Sequence, residues 1–95
     1  MAYLKCVDPM RKTSHDIPLR KPLISMGRKS GNDIVLEDAT IASTHANLVR
    51  GKDGSYTLSV IRRTYEVYLN GKLTRTAKFK FGDKALIGRF ELTLL

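Results

Sequence analysis

The apolar positions of this chain recur in short runs, with no lasting helical period. No 3.6-residue apolar repeat persists for three turns, and runs rich in β-branched and aromatic residues are separated by Gly, Pro, Asn and Asp. Many short strands joined by frequent turns predict an all-β sandwich. The predicted strands are Ala2–Val7, Asp16–Arg20, Leu23–Met26, Ile34–Leu36, Ala46–Arg50, Tyr56–Val60, Glu66–Leu69, Lys72–Leu73, Lys78–Phe79, Lys84–Ile87 and Glu91–Leu95.

Several connections between these runs carry recognisable turn chemistry. Residues 51–54, Gly-Lys-Asp-Gly, separate two alternating runs and predict a hairpin loop. Asn70-Gly71 predicts a tight turn because both residue types tolerate positive φ. A third turn is expected at Gly82-Asp83. The apolar residues of the C-terminal strands that we expect in the core are Val67, Leu69, Leu86 and Leu92.

The length of the chain bounds its class. Its 95 residues suffice for one small domain with a single core. No apolar run approaches the roughly 20 residues that a membrane-spanning helix needs, and the N-terminus has no export-signal pattern. The single Cys6 cannot form an internal disulfide, so we expect a small strand hydrophobe in a reducing, cytoplasmic setting. The chain ends inside an apolar run, which predicts that residues 1–95 are the N-terminal part of a longer protein.

The formal net charge is +8, from 17 basic and 9 acidic side chains. A surface of this kind favours anionic partners such as phosphopeptides, acidic segments or nucleic acid. The basic residues occur mostly as pairs at candidate turns, and no long basic block or basic amphipathic helix is present. This pattern favours a localised anion site over nucleic acid or a membrane surface as the partner.

Catalytic and metal-binding motifs are missing from the sequence. His15 and His45 lie far apart beside a single cysteine, so no metal-ligand spacing exists. There is no G-x-S-x-G elbow, P-loop or dinucleotide fingerprint. Ser14, His15 and Asp16 are sequence neighbours, whereas a catalytic triad is assembled in space, so we interpret them as a turn entering a strand. We expect no enzyme activity, no cofactor and no metal.

The segment from Met26 to Leu48, MGRKSGNDIVLEDATIASTHANL, resembles the core of a forkhead-associated (FHA) domain. The family pattern is Gly-Arg, three variable residues, Asn-Asp-Ile, then Ser-Arg-x-His-Ala and later an Asn-Gly turn. Here Gly27 and Arg28 precede Asn32-Asp33-Ile34 by three residues, and His45 falls at the matching distance. Further matches at Tyr56, Asn70-Gly71, Gly82-Asp83 and Ile87-Gly88 extend the resemblance over nearly the whole chain.

This resemblance implies an eleven-stranded β-sandwich that binds phosphothreonine peptides through loops at one end. A phosphothreonine carries about −1.5 to −2 charges and three acceptor oxygens. A fixed guanidinium can pair with two of those oxygens at once, and hydroxyl or backbone N–H groups add directed hydrogen bonds.

The family's phosphate ligands match this sequence only in part. Arg28 stands at the phosphate-contacting arginine, but Ala42 stands at the characteristic serine and Ser43 at the arginine that follows it. His45 matches the histidine that ties loops together in the family. Losing one charge-assisted hydrogen bond typically costs about 1.5–3 kcal/mol, so these replacements predict weakened phosphate recognition.

A second family motif, Ser-x-Asn-Gly-Thr, is replaced as well. Arg63 takes the position of its serine, and Tyr65 that of the asparagine that grips the peptide backbone. The residues expected to support the loops are Gly27, Asn32, His45, Asn70 and Gly71. The candidate anion-binding or peptide-binding residues are Arg28, Lys29, Ser43, Thr44, Arg62, Arg63 and Tyr65.

These candidates also have structural interpretations. Arg28 could instead staple loops, Ser43 and Thr44 could satisfy backbone groups, and Arg62 with Arg63 could be a solvated pair. Equally, shifted hydroxyls at Ser43 and Thr44 could serve a rearranged anion site together with the positive charge of Lys29 and of residues 62 and 63.

Three hypotheses follow for function. The first is an FHA-type protein-interaction module with a degenerate phosphopeptide site, which binds a protein partner with reduced or no phosphothreonine dependence. The second is phosphothreonine-peptide binding through a rearranged site. The third, nucleic-acid binding through the basic surface, is disfavoured by the scattered charges. The resemblance adds that bacterial FHA domains often begin longer chains, among them transcription regulators.

Overall fold

The computed structural model describes residues 2–61 and 66–95, which form a sandwich of two β-sheets. The strands are β1 (Tyr3–Asp8), β2 (Thr13–Pro18), β3 (Leu23–Gly27), β4 (Ile34–Val35), β5 (Ala46–Arg50), β6 (Tyr56–Val60), β7 (Val67–Leu69), β8 (Lys72–Leu73), β9 (Thr76–Phe79), β10 (Lys84–Ile87) and β11 (Phe90–Leu94). One sheet has the order β2-β1-β11-β10-β7-β8 and the other β4-β3-β5-β6-β9. The predicted all-β sandwich of eleven short strands is confirmed.

The strand pairs are antiparallel except for β3 and β4, which run parallel. The two sheets bury one apolar core between their inner faces, in which Leu4, Met26, Leu48 and Leu58 are fully buried. Within the described ranges, no helix is long and apolar enough to cross a membrane.

The sequence prediction placed β2 too late in the chain. The strand begins at Thr13, three residues before the predicted start, so Ser14, His15 and Asp16 lie within the strand and not in a turn that enters it. The turn lies earlier because the Asp8 carboxylate accepts hydrogen bonds from the N–H groups of Met10 and Arg11. A side chain that caps a turn in this way leaves no apolar pattern in the sequence.

The expected core position of Leu86 was wrong. Its side chain is 39% exposed, because Leu86 pairs with Tyr68 and Glu91 on the outer face of the sheet. Ala85 and Ile87 point inward instead, as the two-residue period of a strand requires. The core expectation is confirmed for Val67 and Leu92, which are buried, and Leu69 packs against the core.

The predicted turns lie where the sequence placed them. Residues 51–54 connect the paired strands β5 and β6. Asn70 and Gly71 have φ of 52° and 85° and connect β7 to β8.

Cys6 is buried on β1, and burial, with a smaller effect of the Asp8 charge, raises the pKa of its thiol to about 11. This burial favours a packing role over a reactive one.

The alternating strand directions divide the connections between two ends of the sandwich. The loop end comprises residues 28–33 and 36–45. At its last residue, the His45 N–H donates to the Met26 carbonyl, and the His45 carbonyl accepts from the Ile61 N–H. The opposite end comprises residues 51–55, 70–71 and 80–83. There Tyr56 pairs with Phe79 across β6 and β9.

Candidate functional site

The main chain holds two neighbouring loops together at the loop end. The Arg28 N–H donates to the Ala42 carbonyl at 2.9 Å, and the Lys29 N–H donates to the Ser43 carbonyl at 3.2 Å. These two backbone hydrogen bonds join loop 28–33 to loop 36–45 in the way that a β-ladder joins two strands. Backbone pairing therefore positions the side chains of these four residues relative to one another.

Gly27 is required where these loops come closest. A Cβ atom built on Gly27 would lie 2.3 Å from the Ser43 carbonyl oxygen and 2.9 Å from Asn32 Nδ2. Glycine thus permits an approach that any larger residue would prevent. The Gly27 carbonyl also accepts from the Leu36 N–H at 2.8 Å, where loop 36–45 begins.

The Asn32 amide crosses from one loop to the other. Its Nδ2 donates to the Lys29 carbonyl at 2.8 Å and to the Ser43 carbonyl at 2.6 Å. Two backbone acceptors, one in each loop, are thereby satisfied by one side chain. The geometry gives Asn32 the function of a crosslink within the loop end.

His45 lies beneath the loops, with 1% of its surface exposed. Its Nδ1 accepts from the Ala42 N–H at 3.3 Å, so a neutral ring carries its proton on Nε2. Nε2 lies 3.2 Å from the Glu66 carbonyl, to which that proton is donated. Burial lowers the pKa of His45 and outweighs the opposite effect of the Glu66 carbonyl, which favours the neutral ring at pH 7.

The cationic candidates have exposed side chains. Among residues 2–61 and 66–95, neither the Arg28 guanidinium nor the Lys29 ammonium forms a hydrogen bond or an ion pair. The exposed Ser43 hydroxyl and the half-buried Thr44 hydroxyl likewise have no hydrogen-bond partner in these ranges. It is the main chain of Arg28, and not its guanidinium, that joins the loops. The arrangement presents two cations and a hydroxyl to solvent.

Ala42, which the sequence resemblance assigns to the family's serine position, is 5% exposed. Its carbonyl accepts from Arg28 and its N–H donates to His45, so both main-chain groups are used within the protein. The methyl side chain offers no hydrogen bond to an anion at this point.

The structure brings together only part of the predicted set. Gly27, Arg28, Lys29, Asn32, Ser43, Thr44 and His45 share the loop end. Asn70 and Gly71 lie at the opposite end, where the Asn70 side chain donates to Asp83 Oδ1 at 3.1 Å and accepts from the Lys84 N–H at 3.1 Å. The candidates Arg62, Arg63 and Tyr65 lie outside the described residues.

An ion-pair triad that supports loop 36–45 was missed from the sequence. Arg89 donates to both Asp8 oxygens, at 2.8 and 3.0 Å, and to Asp38 Oδ2 at 2.5 Å. Asp38 also accepts from the Thr40 N–H at 2.8 Å. The hydrogen bond from Arg89 is the main cause that lowers the pKa of Asp8 to about 2. The three charged residues are distant along the chain, and no local spacing marks them as partners.

Asp33 belongs to the Asn-Asp-Ile motif, but the motif does not predict the contacts of its carboxylate. Its carboxylate accepts from Lys21 Nζ at 2.6 Å and from the Ser25 N–H at 2.9 Å. The Lys21 hydrogen bond, followed by the Ser25 backbone bond, holds the pKa of Asp33 below its ordinary value. These contacts fasten the end of loop 28–33 to β3.

A family model for the FHA domain matches residues 24–88 of the chain. Since this match spans more than half of the chain, and the fold and loop geometry agree with it, the chain belongs to the FHA family. FHA domains are phosphopeptide-binding modules of protein interaction and are not enzymes.

Two curated relatives are similar to this chain over 77 residues, which is 81% of its length. The oxoglutarate dehydrogenase inhibitor of Corynebacterium diphtheriae is 30% identical, and the match covers 53% of that protein. The glycogen accumulation regulator GarA of Mycolicibacterium smegmatis is 31% identical, with 48% of that protein covered. The chain therefore spans about half the length of these curated relatives.

Among solved structures, EmbR of Mycobacterium tuberculosis in complex with a low affinity phosphopeptide superposes with a TM-score of 0.80. It is 24% identical, and the alignment covers 99% of this chain and 24% of EmbR. At this identity the likeness concerns the fold.

Proposed function

We propose that loops 28–33 and 36–45 bind a protein partner with reduced or no dependence on phosphothreonine. The observation that carries this proposal is the buried methyl group of Ala42 at the family's serine position. No hydroxyl is present there, and the two main-chain groups of Ala42 already have intramolecular partners.

The energetic argument rests on the number of charge-assisted bonds. A bound phosphate could still meet Arg28 and Lys29, but it would lack the family serine and the arginine that Ser43 replaces. Each such bond contributes about 1.5–3 kcal/mol, and about 1.4 kcal/mol changes affinity tenfold. Losing two of them weakens phosphate recognition by roughly a hundredfold or more.

The similarity to curated relatives supports a protein as the partner. One relative is named as an inhibitor of oxoglutarate dehydrogenase and the other as a regulator of glycogen accumulation. We extend to this chain only the general feature that an FHA domain regulates by binding. A reducing cytoplasm is the setting that we propose, because Cys6 has no internal disulfide partner.

The test compares an oriented phosphothreonine peptide library with the same library carrying unmodified threonine, by fluorescence anisotropy. For the native chain we expect affinities that differ by less than about threefold. The double substitution Ala42→Ser and Ser43→Arg restores the family ligands and should create a preference for the phosphorylated library of at least about tenfold. Tight native binding that disappears on dephosphorylation would contradict the proposal.

One observation favours the second candidate, phosphothreonine binding through a rearranged site. Arg28, Lys29 and Ser43 present two positive charges and a hydroxyl without partners in the described part of the chain. This candidate predicts that Arg28→Ala abolishes a phosphate-dependent interaction. Arg20→Ala, which removes an exposed arginine from the connection between β2 and β3, should leave that interaction unchanged. Equal effects of the two substitutions exclude the rearranged site.

A further inference from the structure

A second concave surface lies at the opposite end of the sandwich. A cleft of about 330 Å³ opens between residues 53–55 and 79–81. Its aromatic lining consists of Tyr56, Phe79 and Phe81. We name this surface the Phe81 cleft. It lies across the molecule from Arg28 and shares no residue with the loop end.

The aromatic lining has a fixed floor and an exposed wall. Tyr56 and Phe79 are cross-strand partners on β6 and β9, and they are 5% and 2% exposed. Phe81 follows them in the turn before Gly82 and is 68% exposed. An exposed phenylalanine beside buried aromatic rings provides apolar surface that a partner's side chain can cover.

The rim of the cleft is positively charged. Lys78 and Lys80 line it, and within residues 2–61 and 66–95 neither forms a salt bridge. The acidic residue among the described lining is Asp53. Its carboxylate is engaged by the Ser55 N–H at 3.0 Å and the Ser55 hydroxyl at 2.7 Å. Lys78 Nζ donates one hydrogen bond to the Ser55 hydroxyl oxygen at 3.2 Å, a neutral acceptor. An ammonium group has three donors, so Lys78 and Lys80 both keep charge and donors for an anionic partner.

We propose that the Phe81 cleft binds an acidic peptide segment that carries an aromatic or large aliphatic side chain. That side chain packs against Phe81, Phe79 and Tyr56, and carboxylates on either side of it pair with Lys78 and Lys80. The cleft volume lies at the lower end of the roughly 300–1,000 Å³ of ligand pockets, which suits one anchoring side chain. Single-stranded nucleic acid needs a continuous basic groove with successive stacking platforms, whereas here two lysines flank one cleft.

The experiment selects ligands without assuming their sequence. A displayed library of unphosphorylated random dodecapeptides is panned on the 95-residue chain, and an enriched peptide is labelled with fluorescein for anisotropy. We expect enrichment of Asp and Glu around an aromatic or aliphatic residue. Phe81→Ser, and separately the pair Lys78→Glu and Lys80→Glu, should weaken binding at least about tenfold.

Matched controls separate the cleft from general surface properties. Leu73→Ser removes another exposed apolar residue, 62% exposed, from the other sheet. The pair Lys5→Glu and Lys72→Glu makes the same change in net charge elsewhere. Both controls, and Arg28→Ala, should leave the affinity within about twofold, so the result does not depend on the proposed function of the loop end.

Three outcomes would overturn the proposal. The first is a selection without acidic and apolar enrichment, including one that yields no binder. The second is unchanged peptide affinity in the Phe81→Ser chain. The third is a labelled twelve-nucleotide oligothymidylate that binds more tightly than the peptide and is sensitive to the same substitutions, which would assign the cleft to nucleic acid.

Discussion

At the scale of single residues, two positions shape the candidate site without contacting a ligand. Gly27 allows the Ser43 carbonyl to approach where a side chain would stand. His45 provides hydrogen bonds to Met26, Ala42 and Glu66 from a buried position. Such residues hold the backbone of the loops in place. The exposed side chains of Arg28 and Lys29 can keep a defined direction only because that backbone is fixed.

Gly27→Ala should therefore destabilise the fold. The new methyl group would lie 2.3 Å from the Ser43 carbonyl oxygen, so the loops must separate. Overpacking of this kind typically costs about 1–3 kcal/mol, which urea unfolding measures. The matched control is Gly31→Ala, where the added Cβ has no neighbour within 4 Å, and a change within about 0.5 kcal/mol is expected. Equal stability of the two variants would refute the close-approach argument.

His45 should make stability depend on pH. Because burial lowers its pKa in the folded chain, the unfolded chain takes up a proton at higher pH. The stabilisation is complete above the ordinary pKa of 6.5 and is lost as the pH falls from there towards the folded pKa. The native chain should lose more free energy of unfolding between about pH 7.5 and 5.5 than His45→Gln does.

NMR titration of the imidazole provides the independent measurement. We expect a His45 pKa below 6.5 and the tautomer protonated at Nε2. A pKa at or above the ordinary value would show that the ring is not held neutral by burial.

At the scale of elements, the ends of strands are fastened by side chains from elsewhere in the chain. Asp8 ends β1, Asp38 lies in loop 36–45, and Arg89 lies in the turn between β10 and β11. The triad joins loop 36–45 to the sheet in which β1, β11 and β10 are neighbours. Loop 36–45 is consequently held to both sheets, by Arg89 on one side and by the backbone bonds to loop 28–33 on the other.

Arg89→Ala should lower the urea midpoint at neutral pH, because it leaves the largely buried carboxylates of Asp8 and Asp38 without their partner. The folded pKa of Asp8 is depressed to about 2, so the stabilisation is present above the ordinary 3.8 and is lost as the pH falls through about 2. The difference between native and variant midpoints should narrow over that range. Lys84→Ala, which breaks the more exposed pair with Glu91, should change the midpoint little at any pH.

At the scale of the whole molecule, the sandwich separates two surfaces of different chemistry. The loop end presents Arg28 and Lys29 on loops, and the Phe81 cleft presents an aromatic wall between lysines. The longest dimension of the described chain is 35 Å, and the core strands lie between the ends. A rigid β-sandwich transmits little change from one end to the other unless an element has two alternative arrangements.

Binding at the two ends should accordingly be independent. We expect the affinity for a selected acidic peptide to be the same, within about twofold, in the native chain and in the Ala42→Ser and Ser43→Arg chain saturated with a phosphothreonine peptide. Isothermal titration calorimetry measures both constants. Mutual exclusion would mean that the peptides share a site, and a large change of affinity would reveal coupling between the ends.

Local pattern was sufficient to predict most of the fold from the sequence. Strands such as β5 and β6, and the turn at Asn70 and Gly71, follow from alternation and from positive-φ residues, which act between chain neighbours. The displaced start of β2 and the outward Leu86 were missed because a capping carboxylate and the register between strands decided them.

For the candidate site, the sequence predicted which residues could take part but not which of them contact one another. The sequence alone determined that Arg28 and Lys29 precede a histidine motif, and the family resemblance led us to expect Ala42 in place of a hydroxyl. Tertiary structure decided that the main chain of Arg28 joins the loops, that Asn70 lies at the opposite end, and that Arg89 links Asp8 to Asp38. It also placed Phe81 beside Lys78 and Lys80. The physical reason is that a motif records neighbours along the chain, whereas electrostatic and packing partners are chosen by distance in space after folding.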